Sequence, residues 1–112
     1  MMSRQGRTRR VEPAEHRRAP VVEHDREGER LVVREGGQVA ELEYHRRGDR
    51  LSILHTGVPA PLGGKGLGSA LVRAAVELAA AEGLTVVPYC PFAQRWLEDH
   101  PDVAASVSVE QP

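Results

Sequence analysis

Residues 63 to 69 carry the pattern most suited to chemistry, because four glycines fall within seven positions in the order Gly-Gly-Lys-Gly-Leu-Gly-Ser. An apolar stretch precedes this run and an amphipathic one follows it, which predicts a turn from a strand into a helix. Glycine lets the backbone approach a ligand closely, and the first N–H groups of a helix have no partner within it and lie at the positive end of its dipole. The pattern therefore predicts a phosphate or pyrophosphate site.

The spacing argues against two common phosphate loops. A Walker loop would need a glycine and a hydroxyl residue where this chain has Pro59 and Gly66. A dinucleotide fingerprint beginning at Gly64 lacks its third glycine, because Ser69 stands there, and no acidic residue closes the next strand to hold a ribose. The pattern that remains is x-x-G-x-G, ending at Gly68.

This remaining pattern resembles the acetyl-CoA pyrophosphate loop of the GNAT superfamily of acyl-CoA N-acyltransferases, which reads [RQ]-x-x-G-x-[GA]. The flanking segments 55–59, 70–72, 87–92 and 100–101 resemble the small single-domain branch of that superfamily, so the resemblance spans residues 30–105. Two positions depart from the pattern. Gly63 stands where Arg or Gln is usual, which removes a side-chain contact to phosphate and leaves the backbone donors, and Gly57 stands where a larger, often acidic residue is frequent.

The resemblance implies an N-acetyltransferase that uses acetyl-CoA as co-substrate and an unidentified amine, small molecule or protein, as acceptor. It implies that the pyrophosphate lies on the glycine loop and the pantetheine arm along the fourth strand. The CoA-binding residues expected on this basis are Thr56, Val58, Gly63, Gly64, Lys65, Gly66, Leu67, Gly68 and Ser69. The Lys65 side chain either reaches a phosphate or is an exposed loop lysine. The alternative function is a non-catalytic acyl-CoA-binding or protein-interaction module.

Cys90 is the expected catalytic residue. Pro91 suits the first position of a short helix over 91–98, which makes Cys90 the N-cap, an environment that favours a thiolate. A free cysteine is otherwise commonly a small buried hydrophobe. The resemblance allows two catalytic roles: covalent capture of the acetyl group, or proton donation to the CoA thiolate. His55 is expected to be a half-buried strand residue, with a general-base role as its alternative.

Composition bounds the remaining possibilities. Residues 1–18 hold six Arg and two Glu, a net charge of +4, so the rest of the chain carries −5 of the total of −1. Because residues 1–19 offer almost no apolar material, we expect a disordered basic arm, followed by one domain over 20–112. The arm has no aromatic residue for stacking, which argues against nucleic acid as a partner.

Other function classes find no support in the sequence. The five histidines have no metal-site spacing, so no metal is expected. No apolar run approaches the ~18 residues of a membrane span. The single cysteine excludes an intrachain disulfide and fits a reducing cytoplasm, which is the expected location.

The elements that must hold the loop form a predicted α+β fold. Strands are expected over 20–24, 30–34, 38–44 and 51–58, joined by short turns into an antiparallel four-strand meander. The third strand alternates, which predicts that Ala40, Leu42 and Tyr44 share the buried face. Full-size members of the superfamily place two helices between the first two strands, where this chain has a three-residue turn, so the acceptor side is expected to be open.

A main helix from Leu67 to about Glu82 and a fifth strand over 84–89 follow the loop. The right-handed crossover makes the fifth strand parallel to the fourth, and Pro88, which lacks an N–H, predicts that the two strands splay apart. After the short helix, residues 103–109 form either an edge strand or a loose tail. Phe92 and Trp96 are expected to pack beneath the short helix as core residues.

Overall fold

A computed structural model describes residues 20–112, which build a six-stranded sheet in the order β1-β2-β3-β4-β5-β6. The predicted arm over 1–19 lies outside these residues. The strands are β1 (Glu23–Asp25), β2 (Arg30–Glu35), β3 (Gln38–Arg47), β4 (Arg50–Gly57), β5 (Thr85–Pro88) and β6 (Ser108–Val109).

The antiparallel meander of β1 to β4 is confirmed. Each strand pairs with the next through a tight turn, and the alternation predicted for β3 appears as burial of Ala40, Leu42 and Tyr44. The same face carries Leu31 and Val33 of β2, so these strands present one apolar surface to the helices.

The predicted main helix is α1 (Leu67–Glu82), and it ends at Gly83, whose φ of 69° gives the left-handed C-cap. The predicted short helix is α2 (Pro91–Asp99), with Pro91 at its first position and Cys90 as its N-cap. A further short helix, α3 (Pro101–Ala104), was not predicted; it separates α2 from β6. For residues 103–109 the sequence predicted either an edge strand or a loose tail. The structure has the edge strand, β6, which pairs in parallel with β5.

The helices α1 and α2 pack on the same face of the sheet. Their buried residues belong to one core together with the inward residues of the strands, and the Arg73 guanidinium of α1 lies 5.4 Å from the ring centre of Trp96 on α2. The buried residues of α1 are Leu67, Leu71, Val72, Ala75, Val76 and Ala79. Among residues 20–112, the opposite face of the sheet carries no helix. We call that surface the outer face and define it by Glu41 and Glu43 of β3 and His55 of β4.

The parallel pairing of β4 with β5 is confirmed, and it ends where Ile53 faces Pro88. Two features end the pairing of β4 with β5 at this point. Pro88 has no N–H to donate, and β4 contains a bulge: Tyr44 pairs with Ile53 while Glu43 pairs with His55, which leaves Leu54 as an extra residue. A bulge bends its strand and increases its twist. The bulge was not predicted, yet it lies at the point where β4 separates from β5.

Candidate functional site

The glycine loop begins at a turn of 3-10 helix over Ala60–Leu62, which ends β4 and reverses the chain toward α1. Leu62 is buried and anchors this turn in the core, and the N–H of Gly63 donates to the carbonyl of Ala60 at 3.0 Å. The loop that follows is therefore attached to the core at Leu62 before it and at Leu67 after it.

Gly64 and Gly66 adopt left-handed backbone conformations, with φ of 80° and 75°. A Cβ built at either position would meet no atom within 4 Å, so the space above both Cα atoms is open. Gly66 is the N-cap of α1, and its carbonyl accepts the first helical hydrogen bond from Ala70. Within residues 20–112, no backbone carbonyl accepts a hydrogen bond from the N–H groups of residues 64–69. This stretch therefore presents free donors at the positive end of a 16-residue helix, whose first turn holds no acidic side chain.

An open groove of about 270 Å³ lies against these donors. Its apolar wall is formed by Val58, Leu62, Leu67 and Phe92, and the glycines form the other side. Donors beside an apolar wall suit a ligand that carries both a phosphate and a hydrocarbon part.

Phe92 corrects the sequence prediction, because it is 45% exposed and is not a core residue. The buried residues of α2 are Ala93, Trp96 and Leu97, so the centre of the buried face lies about 90° around the helix from Phe92. The Phe92 ring instead covers the start of α1: a Cβ on Gly68 would lie 2.9 Å from the ring. Gly68 is thus needed for close approach of the ring. The helical spacing of Ala93, Trp96 and Leu97 was the signal in the sequence that these residues, and not Phe92, form the buried face of α2.

Lys65 lies at the exposed outer part of the loop. Its Nζ is 3.7 Å from Glu35 Oε1 at the end of β2, and both side chains are largely exposed. Such a surface ion pair contributes little to stability, so the ammonium is free to move to another anion at small cost.

The split between β4 and β5 adjoins the loop. The carbonyl of Ile53 accepts hydrogen bonds from the N–H groups of both Tyr89 and Cys90, at 2.9 and 3.0 Å. Beyond Ile53, β4 pairs only with β3, so the β5 side of residues 54–57 has no strand against it in the described part of the chain. Thr56 lies in this unpaired stretch, and Val58, one residue after β4, lines the groove at the glycine loop.

Cys90 closes the inner end of the split. It is 4% exposed, and its thiol donates to Thr56 Oγ1 at 3.6 Å. The carbonyl of Cys90 accepts from the N–H of Gln94, the first full turn of α2. The thiol thus lies near a helix N-terminus and beside the expected pantetheine strand, although its burial also suits a packing role.

His55 is exposed, which corrects the expectation of a half-buried strand residue. The bulge at Leu54 shifts the alternation of β4, so that His55 pairs with Glu43 on the outer face while Thr56 pairs with Leu42 and faces the helices. The sequence prediction treated β4 as an unbroken strand, and the pattern of apolar and polar residues along it does not reveal the extra residue at Leu54.

Other kinds of site find little support. Among residues 20–112 no three His, Cys, Asp or Glu side chains are grouped closely enough to hold a metal ion. No helix in this part of the chain is both long and apolar enough to span a membrane.

Comparison with known proteins agrees with this geometry. A family model described as GCN5-related N-acetyl-transferase matches residues 30–107. The chain is also similar to the NMR solution structure of a GCN5-like candidate N-acetyltransferase from Staphylococcus aureus, with 27% sequence identity and a TM-score of 0.63 over 80% of this chain and 89% of that one. A search of curated proteins found no match.

Proposed function

The chain belongs to the GCN5-related N-acetyltransferase family, and on that premise we propose that it transfers the acetyl group of acetyl-CoA to an amine. The observation that carries the proposal is the continuity of two features. A glycine loop whose N–H groups have no backbone acceptor within residues 20–112 begins α1. After Ile53, β4 has no strand on its β5 side in this part of the chain, and Val58, the residue that follows β4, lines the groove at that loop. One site thus offers donors for a pyrophosphate and an unpaired strand edge for an amide-containing arm.

The pyrophosphate would be bound mainly by the backbone. The N–H groups of residues 64–69 have no backbone acceptor within residues 20–112, and no arginine or glutamine stands at Gly63 to add a side-chain contact. Lys65, within the loop, could supply a positive charge to the phosphate. Releasing its ammonium from Glu35 costs little because that ion pair is exposed. Phe92 and Val58 would contact the hydrocarbon part of the ligand.

The pantetheine arm would run along β4 beside Thr56 and Val58, pairing with backbone groups that β5 leaves open. Bound acetyl-CoA supplies an activated thioester, and the free strand edge would direct that thioester toward Cys90. The hydrogen bond to Thr56 Oγ1 holds the thiol at this end of the split.

We propose direct transfer. The amine nitrogen attacks the acetyl carbon, the C–S bond breaks, and the Cys90 thiol donates a proton to the departing sulfur. The proton that the amine loses then restores the thiol. Burial of Cys90 supports this route over covalent capture, because an acetylated sulfur at 4% exposure would be hard for an amine to reach. Intact-mass analysis during turnover tests the choice: a hydroxylamine-sensitive acetyl adduct on Cys90 would instead establish covalent transfer.

Release of CoA thiol from acetyl-CoA, measured against a panel of amines, tests the proposed function. We expect amine-dependent release well above the rate without amine, which reports hydrolysis alone. A protein that binds acetyl-CoA and leaves it intact with every amine would be an acyl-CoA-binding module, and the transferase proposal would be wrong.

A further inference from the structure

Lys65 is the single lysine among the 15 Lys and Arg residues of the chain. Arginine keeps its proton in proteins, whereas a lysine amine that has lost its proton attacks activated acyl groups. Lys65 is also the one ionisable side chain between residues 56 and 72, the segment that contains the glycine loop. The chain therefore has a single side-chain amine, and that amine belongs to the proposed phosphate site.

The backbone on both sides of Lys65 lines the groove, while its side chain lies against β2. Gly64 and Gly66 border the groove, and a Cβ at either position would meet no atom within 4 Å. The Lys65 ammonium is 3.7 Å from Glu35 Oε1, and the two side chains are 54% and 40% exposed. Because such an exposed ion pair contributes little to stability, the flexible four-carbon stem can rotate toward the groove at small cost.

Lys65 supplies the only side-chain charge that this loop can offer to a phosphate. The groove is lined by glycines, Ser69 and apolar residues, so no charged residue of the described chain lines it. Gly63 also adds no cation to the loop. An acetyl group on the Lys65 Nζ would remove the positive charge and the capacity to form an ion pair. Acetylation of one side chain would thus leave the phosphate with backbone donors alone.

The distance between acetyl group and phosphate decides which acetyl donor can reach this amine. In acetyl-CoA the whole pantetheine arm separates the thioester from the pyrophosphate, so a molecule bound as proposed carries its acetyl group away from Lys65. In a small acyl phosphate the acetyl carbon is bonded to an oxygen of the phosphate itself. A phosphate of this kind on the donors of residues 64–69 would bring the acetyl carbon to the loop that carries the lysine.

We propose that Lys65 is a modification site, acetylated by a small acyl phosphate that binds the glycine loop, and that this acetylation weakens the binding of acetyl-CoA. The inference rests on the proposed function for the phosphate site. The neutral Nζ attacks the acetyl carbon and a C–N bond forms. The C–O bond to phosphate breaks, its electron pair leaves on inorganic phosphate, and the nitrogen loses a proton to water. Acetyl-CoA competes for the same donors and so protects Lys65.

Peptide mass mapping after incubation with acetyl phosphate measures acetylation at Lys65. The rate should level off at millimolar acetyl phosphate, because donor bound at the loop presents a raised effective concentration to the adjacent amine. CoA and inorganic phosphate should each slow the reaction by competition. p-Nitrophenyl acetate, an acetyl donor without phosphate, should acetylate Lys65 with neither saturation nor competition.

The double variant K65R/R47K is the matched control, because it moves the single lysine to an exposed position in the turn before β4, whereas the glycine loop follows the other end of that strand. At about 1 mM acetyl phosphate the lysine introduced at position 47 should react about 10-fold more slowly than Lys65, at a rate proportional to donor concentration. Equal rates at the two positions, or a rate at Lys65 that never saturates, would overturn the inference.

Calorimetric titration with CoA measures the consequence for binding. Acetylation of the wild type should raise the Kd about 3- to 10-fold, between the effect of an exposed ion pair and that of a charge-assisted hydrogen bond. K65Q, which is neutral without treatment, should show a similar rise. K65R keeps its charge and has no side-chain amine, so acetyl phosphate should leave its Kd unchanged. An acetylated wild type with an unchanged Kd would contradict the proposed effect on binding.

These measurements separate the inference from the proposed function, because neither depends on acetyl transfer to an amine. Unselective acetylation in a protein that releases CoA with amines would overturn the inference and leave the transferase proposal standing. Saturable acetylation of Lys65 that inorganic phosphate inhibits, in a protein that releases no CoA with any amine, would support the modification site and contradict the proposed function.

Discussion

Replacing Gly66 by alanine separates ligand binding from backbone strain, because the chain contains a matched glycine elsewhere. Gly66 has φ of 75° and Gly37, in the turn between β2 and β3, has φ of 77°. A Cβ at either position would meet no atom within 4 Å. The two substitutions thus introduce the same conformational strain and no clash, and only Gly66 lies in the proposed pyrophosphate site.

Both variants should lose about 1–2 kcal/mol of unfolding free energy, the cost of the left-handed conformation for a residue with a Cβ. In a domain of this size that lowers Tm by about 4–15 °C. The effect of ligand should differ. Acetyl-CoA at 100 times its Kd stabilises the wild type by about 2.7 kcal/mol. If Gly66→Ala turns the donors of residues 64–69 away and raises Kd tenfold, the same concentration stabilises by only about 1.4 kcal/mol.

Thermal unfolding of the wild type, Gly66→Ala and Gly37→Ala, each with and without acetyl-CoA, measures both the loss of stability caused by the substitution and the stabilisation by the ligand. We expect Gly37→Ala to keep the full ligand-induced rise in Tm and Gly66→Ala to show about half of it or less. The same rise in all three proteins would refute the assignment of the loop as the pyrophosphate site.

Three further predictions concern single side chains. Phe92→Ala should raise the Kd for acetyl-CoA about 3- to 10-fold in a calorimetric titration, with a modest change in Tm because Phe92 is 45% exposed. An unchanged Kd would remove Phe92 from the site. Cys90→Ala should lower the rate of acetyl transfer by about 10²-fold at unchanged Kd, and full activity would make Cys90 a packing residue. Burial lowers the pKa of His24, whose Nε2 lies 2.6 Å from the Tyr44 hydroxyl, so the unfolded chain binds the proton more readily and stability falls as pH drops below about 6.5. His24→Gln should make the denaturant midpoint of unfolding depend less on pH between pH 7.5 and 5. The same pH dependence in the variant and the wild type would show that His24 is not the responsible group.

The parts of the fold that could be predicted depend on regular local patterns. The alternation of β3 gave its buried face, and the glycine at position 83 gave the end of α1. Pro91 gave the start of α2, since a proline suits a first helical turn. Each of these signals lies within a few residues of the feature it predicts.

The parts that could not be predicted depend on contacts between distant segments. The bulge at Leu54 is defined by how β3 and β4 pair, and one extra residue there moves His55 to the outer face. The position of Phe92 follows from the way α2 packs beside α1, which brings its ring against Gly68. Neither arrangement leaves a periodic signal in its own segment. The glycine loop, Val58 and Leu67 were therefore predicted from sequence, whereas the position of Phe92 in the groove wall and of His55 on the outer face were not.

Titration of the 12.3 kDa protein with acetyl-CoA, followed by NMR amide shifts, tests the central claim most directly. The claim is that the free N–H groups of residues 64–69 and the open edge of β4 bind this ligand together. We expect saturable shifts concentrated at residues 64–69 and 56–58, with Phe92 among them. Shifts concentrated elsewhere, or none at millimolar acetyl-CoA, would contradict the account.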